Sequence, residues 1–164
     1  PKHNKSLKIR KVFLKPKAKA YPPALKAIKK ADLIIIGPGD LYSSLAQILL
    51  TEGVGEAILK SKAKKIYICN LMTKFGETNN FTILDFTEEI EKYLGGKVNY
   101  VVYNNFFPKK EIIKKHKKEH PELLDLVKIN ENLPKEKFIG RNLLKKEVIE
   151  HHPQKLAKII LSLI

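Results

Sequence analysis

Two uninterrupted apolar runs constrain most strongly what this chain can fold into. The first, Leu33–Ile36, has four apolar residues in a row and ends at a glycine; the second lies within residues 64–72 and carries the letters IYIC. A strand that is apolar on both faces has to be covered on both faces, which is typical of parallel sheets in α/β proteins. We therefore predict that both runs are buried strands of one sheet.

Segments with helical periodicity alternate with the apolar runs, as at residues 22–31, 81–96 and 153–164. This alternation predicts right-handed crossovers and an α/β fold: a mostly parallel, Rossmann-like sheet with helices on both faces, three layers in all. The remaining predicted strands are residues 9–16 and 97–105, with two short strands between residues 123 and 141; the remaining predicted helices are 41–53, with another turn at 56–63, and 109–120.

The exit of the first buried strand has the composition of a binding turn. Gly37 and Gly39 give the main chain freedom and let a ligand approach it closely, and Pro38 stiffens the turn. Asp40 or the serine pair that follows can cap the next helix, whose first amides form a natural anion site. The turn lacks the spacing of a dinucleotide fingerprint or a P-loop. On these residues alone, a structural corner explains it as well as a phosphate cradle.

The exit of the second buried strand is longer and richer in polar side chains. Loops with this density of donors and acceptors bind polar ligands or cap their own helices. Because connections in such folds usually need only ~2–6 residues, we favour a binding loop, and we expect Thr78, Asn79 or Asn80 to cap the following helix. The polar residues, grouped around Gly76, are Asn70, Thr73, Glu77, Thr78, Asn79 and Asn80.

Both exits should face the same edge of the sheet, beyond the carboxyl ends of the strands, where ligands of such folds bind. No nucleophile and base stand together there. Cys69 lies inside an apolar strand and is predicted to be a core residue. Asp40 and Glu77 are the carboxylates that could contact Mg²⁺ or transfer a proton, and His151 and His152 are candidates for a cap or a ligand contact. These residues favour a binding protein over an enzyme.

The formal net charge of +15 raises the question of nucleic-acid binding. Clustered cations gain affinity for nucleic acids from released counterions, but only Arg10 and Arg141 are arginines among 32 basic residues. Arginine is the side chain that suits bidentate base and phosphate contacts. Since the lysines are spread along the chain and interleaved with glutamate, we predict a solvated lysine-rich surface and no specific nucleic-acid partner.

The apolar runs and the cysteine content bear on the compartment. No run approaches the roughly 18–20 continuous apolar residues that a membrane span needs. The single cysteine excludes an internal disulfide framework. We therefore predict no membrane span and a reducing, cytoplasmic setting.

Two long motifs carry a resemblance to a known family. Residues 37–44 read GPGDLYSS, and residues 69–78 read CNLMTKFGET. These closely resemble the strand exits of the bacterial gluconeogenesis factor family (YvcK type), which typically read Gly-Pro-Gly-(Ser or Asp)-Leu-Tyr-(Thr or Ser)-Ser and Cys-Asn-(apolar)-Met-Thr-Gln-x-Gly-Glu-Thr. The family belongs to the superfamily that includes the 2-phospho-L-lactate transferase CofD. Lys74 departs from the pattern, since it replaces the usual Gln.

The resemblance implies a CofD-like fold and a cytoplasmic protein that binds a uridine-diphosphate (UDP) sugar and influences carbon metabolism, cell-wall synthesis and cell shape. It implies that residues 1–164 are the C-terminal portion of a CofD-like domain, because the family's glycine-rich N-terminal half has no counterpart here. It is also compatible with a homodimer. By the same resemblance, the UDP-sugar or related nucleotide would be bound by Gly37, Pro38, Gly39, Asp40, Tyr42, Ser43, Ser44, Asn70, Met72, Thr73, Gly76, Glu77 and Thr78.

Two alternatives remain: an enzyme like the 2-phospho-L-lactate transferase of the same superfamily, and a dinucleotide-binding protein, which this type of fold also allows. The transferase carries Pro-Ser-Asn at the first exit and lacks the second motif, so both motifs here favour the non-transferase branch. Mg²⁺ would enter only with transferase chemistry. We predict no other cofactor.

Overall fold

The computed structural model describes residues 8–164 and contains two sheets. The strands are β1 (Leu33–Ile36), β2 (Lys64–Ile68), β3 (Met72–Lys74), β4 (Tyr100–Asn104), β5 (Leu123–Leu126) and β6 (Phe138–Arg141). The order β1-β2-β4-β6 forms a four-stranded sheet in which every pairing is parallel, whereas β3 and β5 pair antiparallel in a small second sheet. The predicted α/β class with a mostly parallel sheet is confirmed.

Helices connect the parallel strands as the periodicity predicts. They are α1 (Pro22–Lys30), α2 (Ala46–Leu49), α3 (Val54–Lys60), α4 (Ile83–Leu94), α5 (Lys110–Glu119) and α6 (Pro153–Leu161). A π-helical turn, Leu41–Leu45, runs directly into α2. Pro153 occupies the first turn of α6, where its missing N–H has no helical partner to lose. Within residues 8–164, no helix has the length and apolar character needed to cross a membrane.

Around β2 the sheet is packed on both faces, because successive side chains of a strand point to opposite sides. On β2, Tyr67 joins a core cluster with Phe86 and Ile90 of α4. Ile66 and Ile68 join a second cluster with Ile160 of α6. Helices α2 to α4 therefore form one outer layer and α6 lies in the other, which confirms the predicted three-layer sandwich.

The second buried strand is shorter than predicted. It ends at Ile68 rather than Met72, although the Cys69 amide still donates to the Val102 carbonyl (2.9 Å). The chain then turns, and Met72–Lys74 starts β3, which pairs with β5 across a register irregularity. Part of the predicted binding loop is thus a strand, because Met72 is buried in a third apolar cluster with Leu144 and Ile149.

The predicted strand at residues 9–16 is wrong. This segment pairs with no described strand. Its alternating pattern reflects packing alone, since Ile9 and Val12 lie against the first core cluster while Phe13 is 68% exposed. The chain that follows is held by a bridge of main-chain bonds: the Ala20 amide donates to the Glu52 carbonyl (3.0 Å).

The cap of α4 also differs from the prediction. Thr82 is the N-cap residue, and it forms a capping box: the Asp85 amide donates to Thr82 Oγ1 (3.3 Å), and the Thr82 amide donates to Asp85 Oδ2 (2.8 Å). Thr78 and Asn79 instead accept from the Lys74 and Gly76 amides within their own loop. The prediction placed the cap too early because the loop's polar side chains hold the loop itself.

A glycine lets α3 approach α4 closely. A Cβ at Gly55 would lie 2.8 Å from the Leu94 carbonyl oxygen, closer than real Cβ contacts. That oxygen belongs to the main chain at the end of α4, so it cannot swing aside. Gly55 is therefore required by packing, whereas a Cβ at Gly37 would meet nothing within 4 Å.

We expect Gly55→Ala to lower the free energy of unfolding by about 1–3 kcal/mol, the usual effect of overpacking. This loss should outweigh the ~1 kcal/mol that alanine gains over glycine inside a helix. Gly37→Ala is the matched control and should change stability by no more than about 0.5 kcal/mol. Urea unfolding followed by circular dichroism measures both; equal stabilities for the two variants would contradict the packing account.

Candidate functional site

The two strand exits lie side by side at one edge of the sheet. Asn70 Nδ2, just after β2, donates to the Gly39 carbonyl just after β1 (2.8 Å). Lys74 Nζ lies 2.6 Å from Asp40 Oδ2, which joins the same two segments a second time. The exits are adjacent because β1 and β2 pair in parallel, which directs the carboxyl ends of both strands to the same edge of the sheet.

A cavity of about 340 Å³ opens between the exits, within the volume range of small-molecule sites. Its wall includes predicted residues from both exits: Pro38, Gly39 and Asp40 from the first, and Asn70 and Met72 from the second. The cavity is also lined by Leu71, His116, Leu123, Ile149, Glu150 and His151.

Several predicted site residues do not line this cavity. The Tyr42 side chain is buried in the core, where its ring meets that of Tyr93 edge-on at 6.3 Å. Thr73 Oγ1 bonds to the main chain of Asp125 at 3.3 Å, so it joins β3 to β5. Their roles in the described chain are structural. The other predicted residues outside the lining are Gly37, Ser43, Ser44, Gly76, Glu77 and Thr78.

Residues from later in the chain complete the wall. His116 comes from α5, a lysine-rich helix that the sequence pattern places at the surface, and His151 comes from the segment before α6. Burial lowers the pKa of His151 and outweighs the effect of a hydrogen bond to the main chain of Cys69. The paired histidines were a visible signal in the sequence; nothing local in the sequence pointed to His116 or Glu150.

The backbone conformation of the first exit does not require glycine at positions 37 and 39. Glycines with positive φ in the described chain are Gly53, Gly76 and Gly95, so Gly37 and Gly39 adopt angles open to any residue. Packing does not require them either, since a Cβ would meet nothing within 4 Å at Gly37 and only ordinary contacts at Gly39. The predicted conformational role is therefore wrong, and the absent side chain leaves open space beside the main chain.

The turn also presents free main-chain donors. Amides from Gly39 to Ser43 donate no hydrogen bond to any residue in the described chain, whereas the Ser44 and Leu45 amides both donate to the Asp40 carbonyl (3.0 Å each). The segment is a π-helical turn, a form often found at functional sites. Successive amides at the start of a helix favour anions.

Asp40 occupies the N-cap position, but its side chain makes no cap bond. Its Oδ2 instead accepts from Ser43 Oγ (3.2 Å) and from Lys74 Nζ (2.6 Å). The predicted cap by Asp40 or the serines is therefore wrong, because the lysine draws the carboxylate away from the helix amides. Those amides stay available.

Lys74 lies between the two carboxylates proposed from the sequence as Mg²⁺ contacts. Its Nζ is 2.6 Å from Asp40 Oδ2 and 2.9 Å from Glu77 Oε1. Burial lowers the pKa of Lys74, but the bonds and charges of these two carboxylates outweigh burial and raise it overall. The ammonium group takes the place a divalent cation would need, so these residues do not fit Mg²⁺.

We expect Lys74→Gln to lower the free energy of unfolding at neutral pH by at most about 1 kcal/mol, because the lysine is partly exposed. Since its pKa is raised on folding, the stabilisation is full below the ordinary lysine pKa and is lost as pH rises through the folded-state pKa. The difference from wild type should thus shrink in strongly alkaline solution. Lys62→Gln, an exposed lysine without a described ion pair, is the control. A pH-independent difference would contradict this.

Cys69 behaves as the core residue that the sequence predicts. It is fully buried, and burial raises the pKa of its thiol to about 12. The thiolate is the reactive form of cysteine, so this residue is poorly suited to nucleophilic catalysis.

We expect iodoacetamide to leave Cys69 unmodified in the native protein and to alkylate it in concentrated guanidinium chloride. Intact-mass spectrometry counts the adducts, and free glutathione in the same tube is the control for reagent activity. Rapid alkylation under native conditions would show that the thiol is accessible.

Comparison with known proteins identifies the family of this chain. The family model described as 2-phospho-L-lactate transferase CofD matches residues 1–144. The chain belongs to the CofD family. The gluconeogenesis factor of Bacillus subtilis (strain 168) is 33% identical over 166 residues, 96% of this chain and 51% of that protein. The gluconeogenesis factor of Halalkalibacterium halodurans is 49% identical over 89 residues, 54% of this chain and 28% of that protein. The predicted resemblance is confirmed.

A solved structure supports the same placement. The X-ray crystal structure of a Bacillus halodurans protein aligns with a TM-score of 0.82 at 35% sequence identity, over 94% of this chain and 51% of that chain. The fold of this CofD-family chain is thus that of its relatives. The chain spans about half the length of the B. subtilis relative and of the solved structure.

Proposed function

We propose that this CofD-family chain forms part of a site for a UDP-sugar and that the protein acts as a cytoplasmic regulator of carbon metabolism, cell-wall synthesis and cell shape. One observation carries the binding proposal: the amides from Gly39 to Ser43 have no partner within the described chain, and open space adjoins Gly37. A diphosphate supplies the anionic oxygens that such amides bind. The name gluconeogenesis factor, which the B. subtilis relative bears, supports the carbon-metabolism part of this role.

The charges around the cavity favour recognition by the main chain over recognition by lysine. Asp40 is paired with Lys74 at 2.6 Å, and Glu150 is paired with Lys145 at 2.5 Å. Each carboxylate of the wall therefore has its own cation, and neither lysine is among the lining residues. The free amides remain as donors for phosphate oxygens, and Asn70 fixes the turn that presents them.

We also propose that residues 1–164 are the C-terminal portion of a CofD-like domain and that a glycine-rich N-terminal portion completes the site. Ile35 of β1 is 47% exposed although its register partner Ile66 is fully buried, so one face of the sheet lacks cover at β1 within residues 8–164. The outer edge of β1 pairs with no described strand. A homodimer stays a prediction.

Calorimetric titration of the protein translated from its complete reading frame tests the UDP-sugar proposal. UDP-glucose and UDP-N-acetylglucosamine are the ligands, and uridine, which lacks the diphosphate, is the control ligand. We expect saturable binding of at least one UDP-sugar. Gly37→Ala should weaken it by about tenfold or more, a loss of about 1.4 kcal/mol, because the methyl group occupies the open space that adjoins the first exit.

Ala24→Ser is the matched control variant, since it also adds one heavy atom but on the exposed surface of α1. Thermal unfolding of both variants should match wild type, which separates lost binding from lost folding. Absence of heat with both UDP-sugars, or equal affinity of wild type and Gly37→Ala, would contradict the proposal.

Transferase chemistry is the alternative that the matching family's description favours. Incubation with a deazaflavin acceptor and an activated phospholactyl donor, followed by mass spectrometry, would reveal the transferred group. The described chain offers little for such chemistry: it has no group of three or more His, Cys, Asp or Glu side chains that could hold a metal ion. A dinucleotide ligand would show in the same calorimetric titration with NAD.

A further inference from the structure

We propose a second ligand site at the exits of β4 and β6, for a small phosphate monoester with an apolar body. A cavity of about 520 Å³ lies there, in the volume range of small-molecule sites. It shares no lining residue with the cavity at the β1 and β2 exits. Its lining residues are Phe106, Pro108, Lys109, Ile112, Asn142, Leu144, Lys145, Lys146, Glu147, Val148, His152 and Lys155.

Apolar side chains form one part of this second cavity. Leu144 is buried, at 3% exposure, whereas Phe106 and Val148 are 46% and 38% exposed. Large apolar side chains left open to solvent around a concavity are typical of ligand sites, where the ligand supplies the missing cover. An apolar or aromatic body therefore fits here better than a sugar.

Cations surround the same cavity. Four lysines line it against one glutamate, Glu147. Lys145 is paired with Glu150 at 2.5 Å, and Lys155 Nζ donates to the Leu144 carbonyl (3.0 Å). Lys109 and Lys146 make no ion pair with any residue of the described chain, so two ammonium groups remain for a ligand. Two cations match a phosphate monoester, which carries about two negative charges near neutral pH.

The walls of the cavity are held in place before any ligand arrives. Asn104, at the end of β4, bonds to the segments that follow β4 and β6. Its Oδ1 accepts from the Leu143 amide (3.1 Å), and its Nδ2 donates to the Phe106 carbonyl (2.7 Å). A bridge between Leu144 and His151 closes the segment before α6. A site that is already formed loses less entropy on binding.

One residue of the wall has an unusual backbone. Glu147 has a φ of +64°, in the left-handed region that side-chain-bearing residues rarely adopt. Such conformations persist where the surrounding structure fixes them, and they cluster at ligand sites. The bonds of the Lys145 amide to the Glu150 carbonyl (2.9 Å) and of the His152 amide to the Leu143 carbonyl (2.7 Å) supply that fixation.

Amide chemical shifts of the protein translated from its complete reading frame test the proposal, with 1-naphthyl phosphate as the probe. Two control ligands separate its parts: 1-naphthol keeps the apolar body without charge, and inorganic phosphate keeps the charge without the body. We expect saturable shifts from 1-naphthyl phosphate in residues 106–112 and 142–148, and much weaker binding of either control ligand. A carboxylate analogue, 1-naphthoate, should bind less tightly because it carries one charge.

Two variants keep the test specific. Lys146→Glu should weaken 1-naphthyl phosphate by about fivefold or more, the scale of an exposed charge contact, whereas Lys26→Glu on α1 makes the same charge change away from the cavity and should leave affinity within about twofold. Val148→Asp should weaken the probe but not UDP-sugar binding, so this site can fail independently of the first. The proposal is overturned by unsaturable shifts, by shifts centred elsewhere, or by equal effects of Lys146→Glu and Lys26→Glu.

Discussion

The parallel pairing of β1 with β2 is the constraint on which the candidate site depends. It places the end of Leu33–Ile36 beside the end of Lys64–Ile68, with Ile36 opposite Tyr67. Two side chains then join the exits: Asn70 bonds the Gly39 carbonyl at 2.8 Å, and Lys74 bonds Asp40 at 2.6 Å. Without that pairing, the first exit would not lie beside the polar groups of the second.

The fold could be predicted from the sequence because its signals are local. The apolar runs predicted β1 and β2, and the amphipathic spacing predicted α4; all three elements are present in the structure. The predictions were wrong where one sequence pattern is compatible with two conformations and strand pairing or hydrogen bonding decides between them. Residues 9–16 pack on the core without joining a sheet. Met72–Lys74 lies within the predicted binding loop but forms a strand that pairs with β5.

The candidate site was predictable only in part. Motif residues Gly39, Asp40 and Asn70 line one cavity. The hydroxyl group of Thr73 instead bonds to the main chain of β5, and that of Thr78 accepts from the Lys74 amide within its own loop. Sequence spacing cannot tell a hydroxyl group that faces a ligand from one that holds a loop. It also cannot place His116, which α5 brings to the site from far along the chain.

One segment, residues 142–152, contributes to both cavities at the sheet edge. Its Ile149, Glu150 and His151 line the first, whereas Asn142, residues 144–148 and His152 line the second. Pairing of Lys145 with Glu150 links the two walls at 2.5 Å. The edge therefore has two regions of different character, with main-chain amides at the β1 exit and lysines with apolar side chains at the β4 and β6 exits.

The most direct test of the central claim is hydrogen exchange of single amides, with and without a UDP-sugar. In the free protein, amides from Gly39 to Ser43 should exchange quickly, since no described residue accepts from them. Saturating UDP-sugar should slow exchange there while that of the Ser44 and Leu45 amides, already bonded to Asp40, changes little. Slow exchange in the free protein, or exchange at Gly39 to Ser43 that the ligand leaves unchanged, would contradict the account.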